Sequence, residues 1–396
     1  MATIGVIGGG QLCRMMGEEI RRRGLPHALV ALDPTPGCPA AAAGVLREQI
    51  PGDFKSRDRI LELAAKSDVV TFEIELAGSA TLEEIERTGK PVHPSSKTLA
   101  IIQDKLVQKA FLRQQGLPVP DFRAVGSKAD LLAAGRDWGW PLMLKARRDA
   151  YDGRGNRRVA GEGEVDAALA ALAGRELMVE RWVDFGPSSP GWHAFSGEVS
   201  VIAARALDGT VRTYPVGENF HDESILDMTI VPARVGAPTA RRAEEIATET
   251  LKALAGAGVF GIEMFVTRGG EVLINEIAPR VHNSGHYTIE ACRTSQFEQH
   301  VRAITGMPLG ETTLLYAAVM VNLLGAPGLS GPYRWQGVEA IASLTDVRLH
   351  DYGKRETAPR RKIGHLTVTG VNSPAHLGGL IHRARQVREF LVQKKA

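Results

Sequence analysis

The alternation of strands and helices at the start of the chain constrains the fold more than any other feature of the sequence. Residues 3–7 are an apolar run, three glycines follow at 8–10, and residues 11–23 have the periodicity of a helix that ends at Gly24. A buried strand that enters a helix through a glycine turn is typical of an α/β fold.

Two further strands are predicted in the same unit. Residues 28–32 lead to Asp33, and residues 68–74 carry Glu73 and Glu75 at their carboxyl end. Strands that alternate with helices form a parallel, doubly wound sheet, whose ligands bind beyond the carboxyl ends of the strands. We therefore predict an α/β fold whose N-terminal part is a doubly wound parallel sheet.

The length of 396 residues predicts two or three domains, since a typical domain has roughly 100–200 residues. We expect an N-terminal domain at 1–97, a central α+β domain at 98–305 and a small mixed C-terminal domain at 306–396. A helix over 103–115, stopped by a glycine and two prolines, precedes a small subdomain at about 118–183.

Composition and charge exclude several classes of protein. Hydrophobic residues make up 44% of the chain, and the formal net charge of +3 is too small to indicate a nucleic-acid partner. The longest apolar run, 314–324, is shorter than the ~18 residues of a membrane span, and residues 1–11 lack the features of a signal peptide. Cys13, Cys38 and Cys292 fit neither a disulfide framework nor a metal site, so we expect a soluble, cytoplasmic protein.

Two glutamates in a predicted β-hairpin are the sharpest chemical signal. A two-residue turn at Gly269 and Gly270 would place Glu263 directly opposite Glu276. Facing residues have Cβ atoms about 4.5–5.5 Å apart, so the two carboxylates need a cation, and their hard oxygens suit Mg²⁺. Asn275 could add an amide oxygen, although on an ideal strand it faces away. The alternative is a solvated polar face with Lys or Arg partners.

The glycine turn at 8–10 permits three interpretations. Its backbone N–H groups at a helix N-terminus could bind a phosphate. It could also belong to a nicotinamide-binding motif with Asp33 on the ribose, although Cys13 replaces the third glycine of that motif. The third interpretation is a purely structural turn.

A second glycine-rich segment, residues 149–156, follows a strand that carries Lys145. Gly153 and Gly155 would let this loop fold over a ligand, while Lys145 and Arg154 supply positive charge for phosphates. The alternative is an ordinary hairpin turn with surface charges.

The polar run at 275–286 suggests an anion site. Arg280, with His282 and Asn283 beside it, can clamp a phosphate through its planar guanidinium, and the basic residues 360–362 could complete the same pocket. His282 and His286 have the spacing of a zinc pair on a helix, but a nearby proline and glycine argue against a helix there.

Taken together, these features resemble the ATP-grasp superfamily, and within it the N5-carboxyaminoimidazole ribonucleotide synthase family. The segments that carry the closer resemblance lie in the family's order along nearly the whole chain. They are GGGQLCRM (8–15), VVTFEIE (69–75), YDGRGN (151–156), GEVSVIAAR (197–205), YPVGENFH (214–221), NEIAPRVHNSGH (275–286) and RRKIGHLTV (360–368).

The resemblance implies an ATP-grasp architecture, with a pre-ATP-grasp domain at 1–97 and the ATP-grasp domain at 98–305. It also implies a carbon–nitrogen ligase of purine biosynthesis. In this reaction ATP phosphorylates bicarbonate to carboxyphosphate, and the carboxyl group passes, directly or as released CO₂, to the amine of 5-aminoimidazole ribonucleotide. The implied cofactors are ATP and two Mg²⁺ ions, and family members are commonly homodimers.

The resemblance also assigns site residues by position. ATP binding falls to Lys105, Lys145, Ala150, Tyr151, Asp152, Gly153, Arg154, Gly155, Asn156, Glu180, Arg181, Trp182, Val183, Glu198, His221, Asn275 and Glu276. Substrate binding falls to Gly9, Gly10, Gln11, Glu73, Arg280, His282, Asn283, Arg361 and Lys362. Mg²⁺ falls to Glu263 and Glu276, and catalysis to Tyr151, Asp152, Arg280 and Lys362.

The chain departs from the family pattern in three places. Cys13 and Ala150 each replace a usual glycine, and the segment 186–196 is an insertion between the adenine residues and Glu198. None of these changes removes a charged group that the chemistry needs.

Four other functions remain open. They are a formate-dependent glycinamide ribonucleotide transformylase, a biotin carboxylase-like enzyme, a nicotinamide-dependent dehydrogenase and a non-catalytic nucleotide-binding regulator.

Overall fold

The computed structural model describes residues 1–149, 155–185 and 194–396. Its N-terminal part is a parallel four-stranded sheet in the order β3-β2-β1-β4, which confirms the predicted doubly wound unit. The strands are β1 (Ala2–Ile7), β2 (His27–Asp33), β3 (Leu46–Pro51) and β4 (Val69–Phe72). The helices are α1 (Gln11–Arg23), α2 (Pro39–Ala42), α3 (Arg57–Ala65) and α4 (Ser79–Arg87).

The sequence analysis missed β3, and the physical reason is its position. It is an edge strand with the sequence LREQIP, in which only Ile50 is fully buried. A strand that buries one side chain lacks the continuous apolar run that marks the interior strands of a parallel sheet.

Two consecutive helices lead into the central region; the second confirms the helix predicted over 103–115 to within two residues at its ends, and the first was not predicted. The helices are α5 (Ser96–Ile102) and α6 (Lys105–Gln114). The break lies at Asp104, whose carboxylate accepts hydrogen bonds from the backbone N–H groups of Leu106 and Val107 and so caps α6.

A small antiparallel sheet follows, in the order β5-β8-β6-β7. Its strands are β5 (Phe122–Val125), β6 (Leu142–Ala146), β7 (Asn156–Val159) and β8 (Leu177–Arg181), and its helices are α7 (Lys128–Trp138) and α8 (Val165–Ala171).

A nine-stranded sheet forms the centre of the molecule. Its main path is β14-β13-β9-β11-β12-β15-β19-β17, with β10 paired to β9. The strands are β9 (Glu198–Arg205), β10 (Val211–Thr213), β11 (Gly217–Asp222), β12 (Ile225–Val231), β13 (Gly258–Val266), β14 (Val272–Ala278), β15 (Ala317–Leu324), β17 (Val347–Asp351) and β19 (Lys362–Gly370). Because β12 pairs with β15, the sheet runs without interruption into the C-terminal part of the chain.

The remaining elements pack around this sheet. The helices are α9 (Ala237–Ala253), α10 (Thr288–Ala291), α11 (Gln296–Ile304), α12 (Val338–Ala342) and α13 (Pro374–Phe390). A separate three-stranded sheet contains β16 (Gly331–Gln336), β18 (Glu356–Thr357) and β20 (Val392–Lys395). Among the helices of the described residues, none has the length and apolar character needed to cross a membrane.

One shared core fixes the N-terminal sheet against the central sheet. Met16 of α1, Tyr287 and Phe297 of α11 are each 1% exposed or less and belong to one apolar cluster. Burying a side chain of this size contributes roughly 1.5–3 kcal/mol. An ion pair between Arg23 and Glu298 at 2.8 Å adds a polar contact between the same two helices, α1 and α11. The two walls of the cleft described below are therefore held in register by packing.

The β13–β14 hairpin has a different turn from the one predicted, yet it pairs the expected glutamates. Val266 faces Val272, so the loop between the paired strand ends is longer than a two-residue turn. The register then shifts by one residue between Glu263 and Met264, and Glu263 faces Glu276. The longer loop changes the pairing register by one residue, and the extra residue of the bulge changes it back, so the predicted pair is kept.

Candidate active site

A cleft of about 1500 Å³ is bounded by the N-terminal, small and central sheets and by the segment that precedes β19. Most residues assigned by the sequence line this single cavity. They are Gly10, Gln11, Glu73, Lys105, Lys145, Asn156, Glu180, Arg181, Trp182, Val183, Glu198, His221, Glu263, Asn275, Glu276, Arg280, His282, Asn283, Arg361 and Lys362. Gly9 and Gly155 are not among its lining residues, and 150–154 and 186–193 lie outside the described residues.

The paired glutamates carry opposite pKa shifts. Burial raises the pKa of Glu263, and the neighbouring carboxylates of Glu276 and Glu198 raise it further. Burial also acts on Glu276, but its ion pair with Lys105 outweighs this effect and lowers the pKa. His282 lies 3.7 Å from Glu263, and its own pKa is lowered well below the usual range, first by burial.

These carboxylates fit a divalent cation. Glu263 has no ammonium or guanidinium partner within 4 Å among the described residues, and it lies opposite a second carboxylate. Mg²⁺ prefers such hard oxygen ligands and would relieve the repulsion that raises the pKa of Glu263.

The bulge in β14 turns Asn275 toward the cleft, contrary to the expectation that it faces away. The amide oxygen of Asn275 accepts a hydrogen bond from the ammonium of Lys145 at 3.2 Å. An extra residue in one strand breaks the alternation of sides, so Asn275 and Glu276 both line the same cavity.

Glu180 is the anionic centre of a buried cluster of lysines. Its carboxylate lies 2.8 Å from Lys145 and 3.4 Å from Lys109, and the side chains of all three are at most 8% exposed. Although burial opposes ionisation, the two lysines lower the pKa of Glu180 to about 2. Burial lowers the pKa of Lys109 to about 8.

Lys109 was missed by the sequence analysis. Its ammonium donates to the carbonyl of Ile274 at 2.9 Å, immediately before the bulge that orients Asn275. The signal was available, because Lys105 and Lys109 are four residues apart and lie on one face of α6.

A third cluster joins α6 to the small sheet. Asp104 is fully buried and binds Arg147 at 2.6 Å and Arg148 at 3.1 Å, both directly after β6. The backbone N–H of Lys105 also donates to the carbonyl of Arg147 at 2.9 Å. These contacts fix the start of the loop at 149–156 relative to Lys105.

Glu198 and His221 form an ion pair at 2.7 Å on the central sheet. Burial disfavours the charged imidazole, but Glu198 and then Glu263 outweigh it and raise the pKa of His221 to about 9. His221 is therefore protonated at neutral pH.

The glycine turn at 8–10 is occupied by protein carboxylates. The backbone N–H of Gly9 donates to Asp33 at 2.9 Å, and those of Gly10 and Cys13 donate to Glu73. Both N–H groups therefore have carboxylate partners among the described residues, and the assignment of Gly9 and Gly10 to substrate binding stays a prediction.

The same geometry argues against the nicotinamide interpretation. The second carboxylate oxygen of Asp33 accepts from the backbone N–H of Thr35 at 2.8 Å, so both of its oxygens are engaged within the fold. These bonds occupy part of the acceptor capacity that a ribose-binding aspartate would offer to its ligand.

Basic side chains also line the cleft. Arg280 contacts Glu75 at 2.7 Å, while its buried Nε atom has no acceptor among the described residues. Lys362 and Arg361 both line the cavity, and Arg361, which is exposed, donates to the carbonyl of Glu356 at 2.8 Å.

Asn283 is held by a neighbouring strand, since its side chain is hydrogen-bonded to Asn322.

The zinc alternative for His282 and His286 finds no support in the local structure. The segment between His282 and His286 is a single 3₁₀ turn, and the described residues hold no group of three or more potential metal ligands of the His, Cys, Asp or Glu type.

Three domain families match the chain in sequence order. The ribonucleotide synthetase preATP-grasp domain matches residues 1–103 and the ATP-grasp domain residues 110–297. The phosphoribosylaminoimidazole carboxylase C-terminal domain matches residues 318–376.

Named relatives extend the similarity to nearly the whole chain. Phosphoribosylaminoimidazole carboxylase of Ogataea methanolica is 40% identical over 92% of this chain, but the chain spans only 66% of its length. N5-carboxyaminoimidazole ribonucleotide synthase of Brucella melitensis is 40% identical over 92% of this chain and 96% of its own length.

Solved structures agree with these relatives. N5-carboxyaminoimidazole ribonucleotide synthetase from Thermotoga maritima has a TM-score of 0.87 and 41% identity over 100% of both chains. N5-carboxyaminoimidazole synthase from Aspergillus clavatus, in complex with ADP and 5-aminoimidazole ribonucleotide, has a TM-score of 0.86 and 33% identity over 98% of both chains. The fold, the order of the matched domains and the extent of the identity together establish that this chain belongs to the N5-carboxyaminoimidazole ribonucleotide synthase family of ATP-grasp proteins.

Proposed function

We propose that this protein is a ligase that carboxylates 5-aminoimidazole ribonucleotide with bicarbonate, at the expense of ATP. The observation that carries the proposal is the arrangement of one cleft. Paired glutamates flanked by lysines line it together with Arg280 and Lys362. A nucleotide phosphate and a second anionic substrate would thus be held in the same cavity.

The nucleotide end would bind ATP through charge and stacking. Lys105 and Lys145 would contact its phosphates, and the segment 180–183 would contact adenine. Phe185 stacks on Phe265, which lines the cleft, with ring centroids 4.8 Å apart, and this pair would form an apolar side for the base. Glu198 would accept hydrogen bonds from the ribose.

Glu263 and Glu276 would hold Mg²⁺, with two ions in the family's pattern. When bound, such ions would supply positive charge that offsets the negative charge developing during phosphoryl transfer. The protein's own contribution is positional: Lys105 holds Glu276, and Lys109 holds the carbonyl that precedes the bulge.

The reaction would proceed in two steps. A bicarbonate oxygen attacks the γ-phosphorus of ATP, ADP departs, and carboxyphosphate forms. The exocyclic amine of 5-aminoimidazole ribonucleotide then attacks the carboxyl carbon, phosphate departs, and the amine loses a proton. We assign that proton to Asp152 with Tyr151 beside it, on the family resemblance alone. Enclosure in the cleft would protect carboxyphosphate from water.

Arg280 and Lys362 would stabilise the anionic groups at the acceptor end, together with His282. We further propose the domain division 1–97, 98–305 and 306–396, and a cytoplasmic homodimer. The three cysteines are buried and free, as is usual in a reducing compartment.

The first test measures ADP release from MgATP and bicarbonate, with and without 5-aminoimidazole ribonucleotide. We expect stimulation by that substrate, and none by glycinamide ribonucleotide with formate. Stimulation by the second pair alone would instead indicate a formate-dependent transformylase.

A second test concerns the metal site. Glu276→Gln should raise the Mg²⁺ concentration that supports half-maximal ADP release, because one of two anionic ligands is lost. Glu271→Gln, in the exposed loop of the same hairpin, is the matched control and should leave that concentration unchanged. Unchanged Mg²⁺ dependence in Glu276→Gln would contradict the assignment.

A further inference from the structure

His286 is a buried histidine that lines the cleft and that the site assignments above leave without a role. Its ring is 1% exposed and packs against the rings of Phe297 and His365, with centroid distances of 5.6 and 4.7 Å. His365 is held in turn by the hydroxyl of Tyr352 at 3.1 Å. Packing against these rings therefore restricts the orientation of the His286 ring.

Gln296 determines which nitrogen of His286 carries the proton. The amide oxygen of Gln296 accepts from the backbone N–H of His282 at 2.9 Å, and its amide nitrogen donates to the His282 carbonyl at 2.7 Å. These two backbone contacts admit only one orientation of the amide. The same amide nitrogen lies 3.1 Å from Nδ1 of His286, so Nδ1 must accept and the proton must reside on Nε2.

The protonated nitrogen has no partner in the part of the chain that the structure describes. Among the described residues, none forms a hydrogen bond with Nε2 of His286. The atom is nevertheless not completely enclosed by protein. It therefore faces the cavity that the ring lines. Burial, followed by the nearby His350, Lys362 and Arg280, lowers the pKa of His286 well below its ordinary range.

We propose that His286 donates a hydrogen bond from Nε2–H to an oxygen of the phosphoribosyl group of the acceptor substrate, and that Gln296 is its positioning residue. This inference rests on the proposed function, because it concerns the substrate end of the same cleft. Arg280 and Lys362 already supply positive charge to this substrate. A neutral N–H donor would orient the substrate without the cost of burying a third cation.

The tautomer can be tested without turnover. Protein labelled with ¹⁵N-histidine, with the His286 signals assigned by comparison with His286→Gln, should show a proton on Nε2 and none on Nδ1. Addition of ribose 5-phosphate should shift the Nε2 signal. A proton on Nδ1, or an Nε2 signal that ribose 5-phosphate leaves unmoved, would overturn the proposal.

Kinetic measurements on two variants distinguish the loss of the hydrogen-bond donor from the loss of ring packing. His286→Phe keeps the stacking and removes the donor, and should raise the KM for 5-aminoimidazole ribonucleotide about 10- to 100-fold, as loss of one hydrogen bond to a charged group predicts. His286→Gln retains an amide donor near the position of Nε2 and should restore most of this loss. The KM for ATP should stay within about twofold of wild type in both variants, because Lys362 and Arg280 act on His286, whereas the phosphate-binding candidates Lys105 and Lys145 are not among the groups that do so.

Gln296→Glu tests the positioning role, because a carboxylate can only accept from Nδ1. The ¹⁵N spectrum of this variant should show a proton on Nδ1, and its KM for 5-aminoimidazole ribonucleotide should rise as in His286→Phe. An unchanged tautomer, or equal increases of both KM values in His286→Phe, would refute the inference. If the wild-type protein is not stimulated by 5-aminoimidazole ribonucleotide, the proposed function fails, whereas the spectra still decide the tautomer and the response to ribose 5-phosphate.

Discussion

Glu180→Gln should destabilise the protein strongly, and removal of Lys109 in the same chain should restore part of the loss. Glu180 is the carboxylate shared by Lys109 and Lys145, and all three side chains are buried. Removing one partner of a buried ion pair costs about 3–5 kcal/mol, because the remaining charge is left without compensation.

The pKa of Lys109 determines how much stability the double variant should regain. Burial lowers it from an ordinary 10.5 to about 8, even with Glu180 present. At about 1.4 kcal/mol per pKa unit, this lowering corresponds to a penalty of roughly 3–4 kcal/mol on the charged form of Lys109. Lys109→Met removes that penalty, so the double variant should regain about 1–3 kcal/mol relative to Glu180→Gln.

Thermal unfolding without nucleotide, at one fixed scan rate, would measure these differences. With about 2–4 °C per kcal/mol for a domain of this size, Glu180→Gln should melt about 6–20 °C below wild type. Glu176→Gln removes an exposed carboxylate 3.6 Å from Arg147 and should lower the midpoint by less than about 2 °C. A double variant that melts below Glu180→Gln would refute the view that Glu180 compensates two buried cations.

Two further predictions concern His221 and the glycine turn. The pKa of His221 is raised in the folded protein, so its pairing with Glu198 contributes stability that is complete below pH 6.5 and lost as the pH rises toward about 9. Chemical denaturation should show a difference between wild type and His221→Gln, at most about 3 kcal/mol, that shrinks across this window, and a constant difference would contradict the pairing. Gly8 has a φ of 105°, and an added Cβ would lie 2.4 Å from Cγ of Glu73, so Gly8→Ala should lower the melting temperature by more than Gly24→Ala, where φ is 60° and the space is open. Equal losses in the two variants would refute crowding as the cause.

The parallel N-terminal sheet was accessible from local sequence patterns, whereas the ATP-grasp architecture followed from the family resemblance. Apolar runs separated by amphipathic helices predict the parallel N-terminal sheet, and the structure confirms its order around β1. These patterns suffice because burial of a strand on both faces imposes a continuous apolar run. The edge strand β3 carries no such run, and it was missed.

The paired glutamates were predicted correctly through an incorrect turn. The sequence places Glu263 and Glu276 at equal distances from Gly269 and Gly270, but the bulge beside Asn275 was not visible in the spacing. A bulge is stabilised by tertiary contacts, here by the hydrogen bond from Lys109 to the carbonyl of Ile274. A pattern of alternating residues cannot contain that information.

The sequence by itself therefore determined the family, the layered α/β architecture and the chemical types of the site residues, because these follow from local periodicity and from motifs along the chain. Only the tertiary structure decided which polar groups pair with one another. The N–H groups of Gly9 and Gly10 donate to Asp33 and Glu73, and Asn275 is oriented toward the cleft. Hydrogen bonding and burial act between residues that are distant in sequence, and their outcome depends on which groups the packed core brings within 3–4 Å of one another.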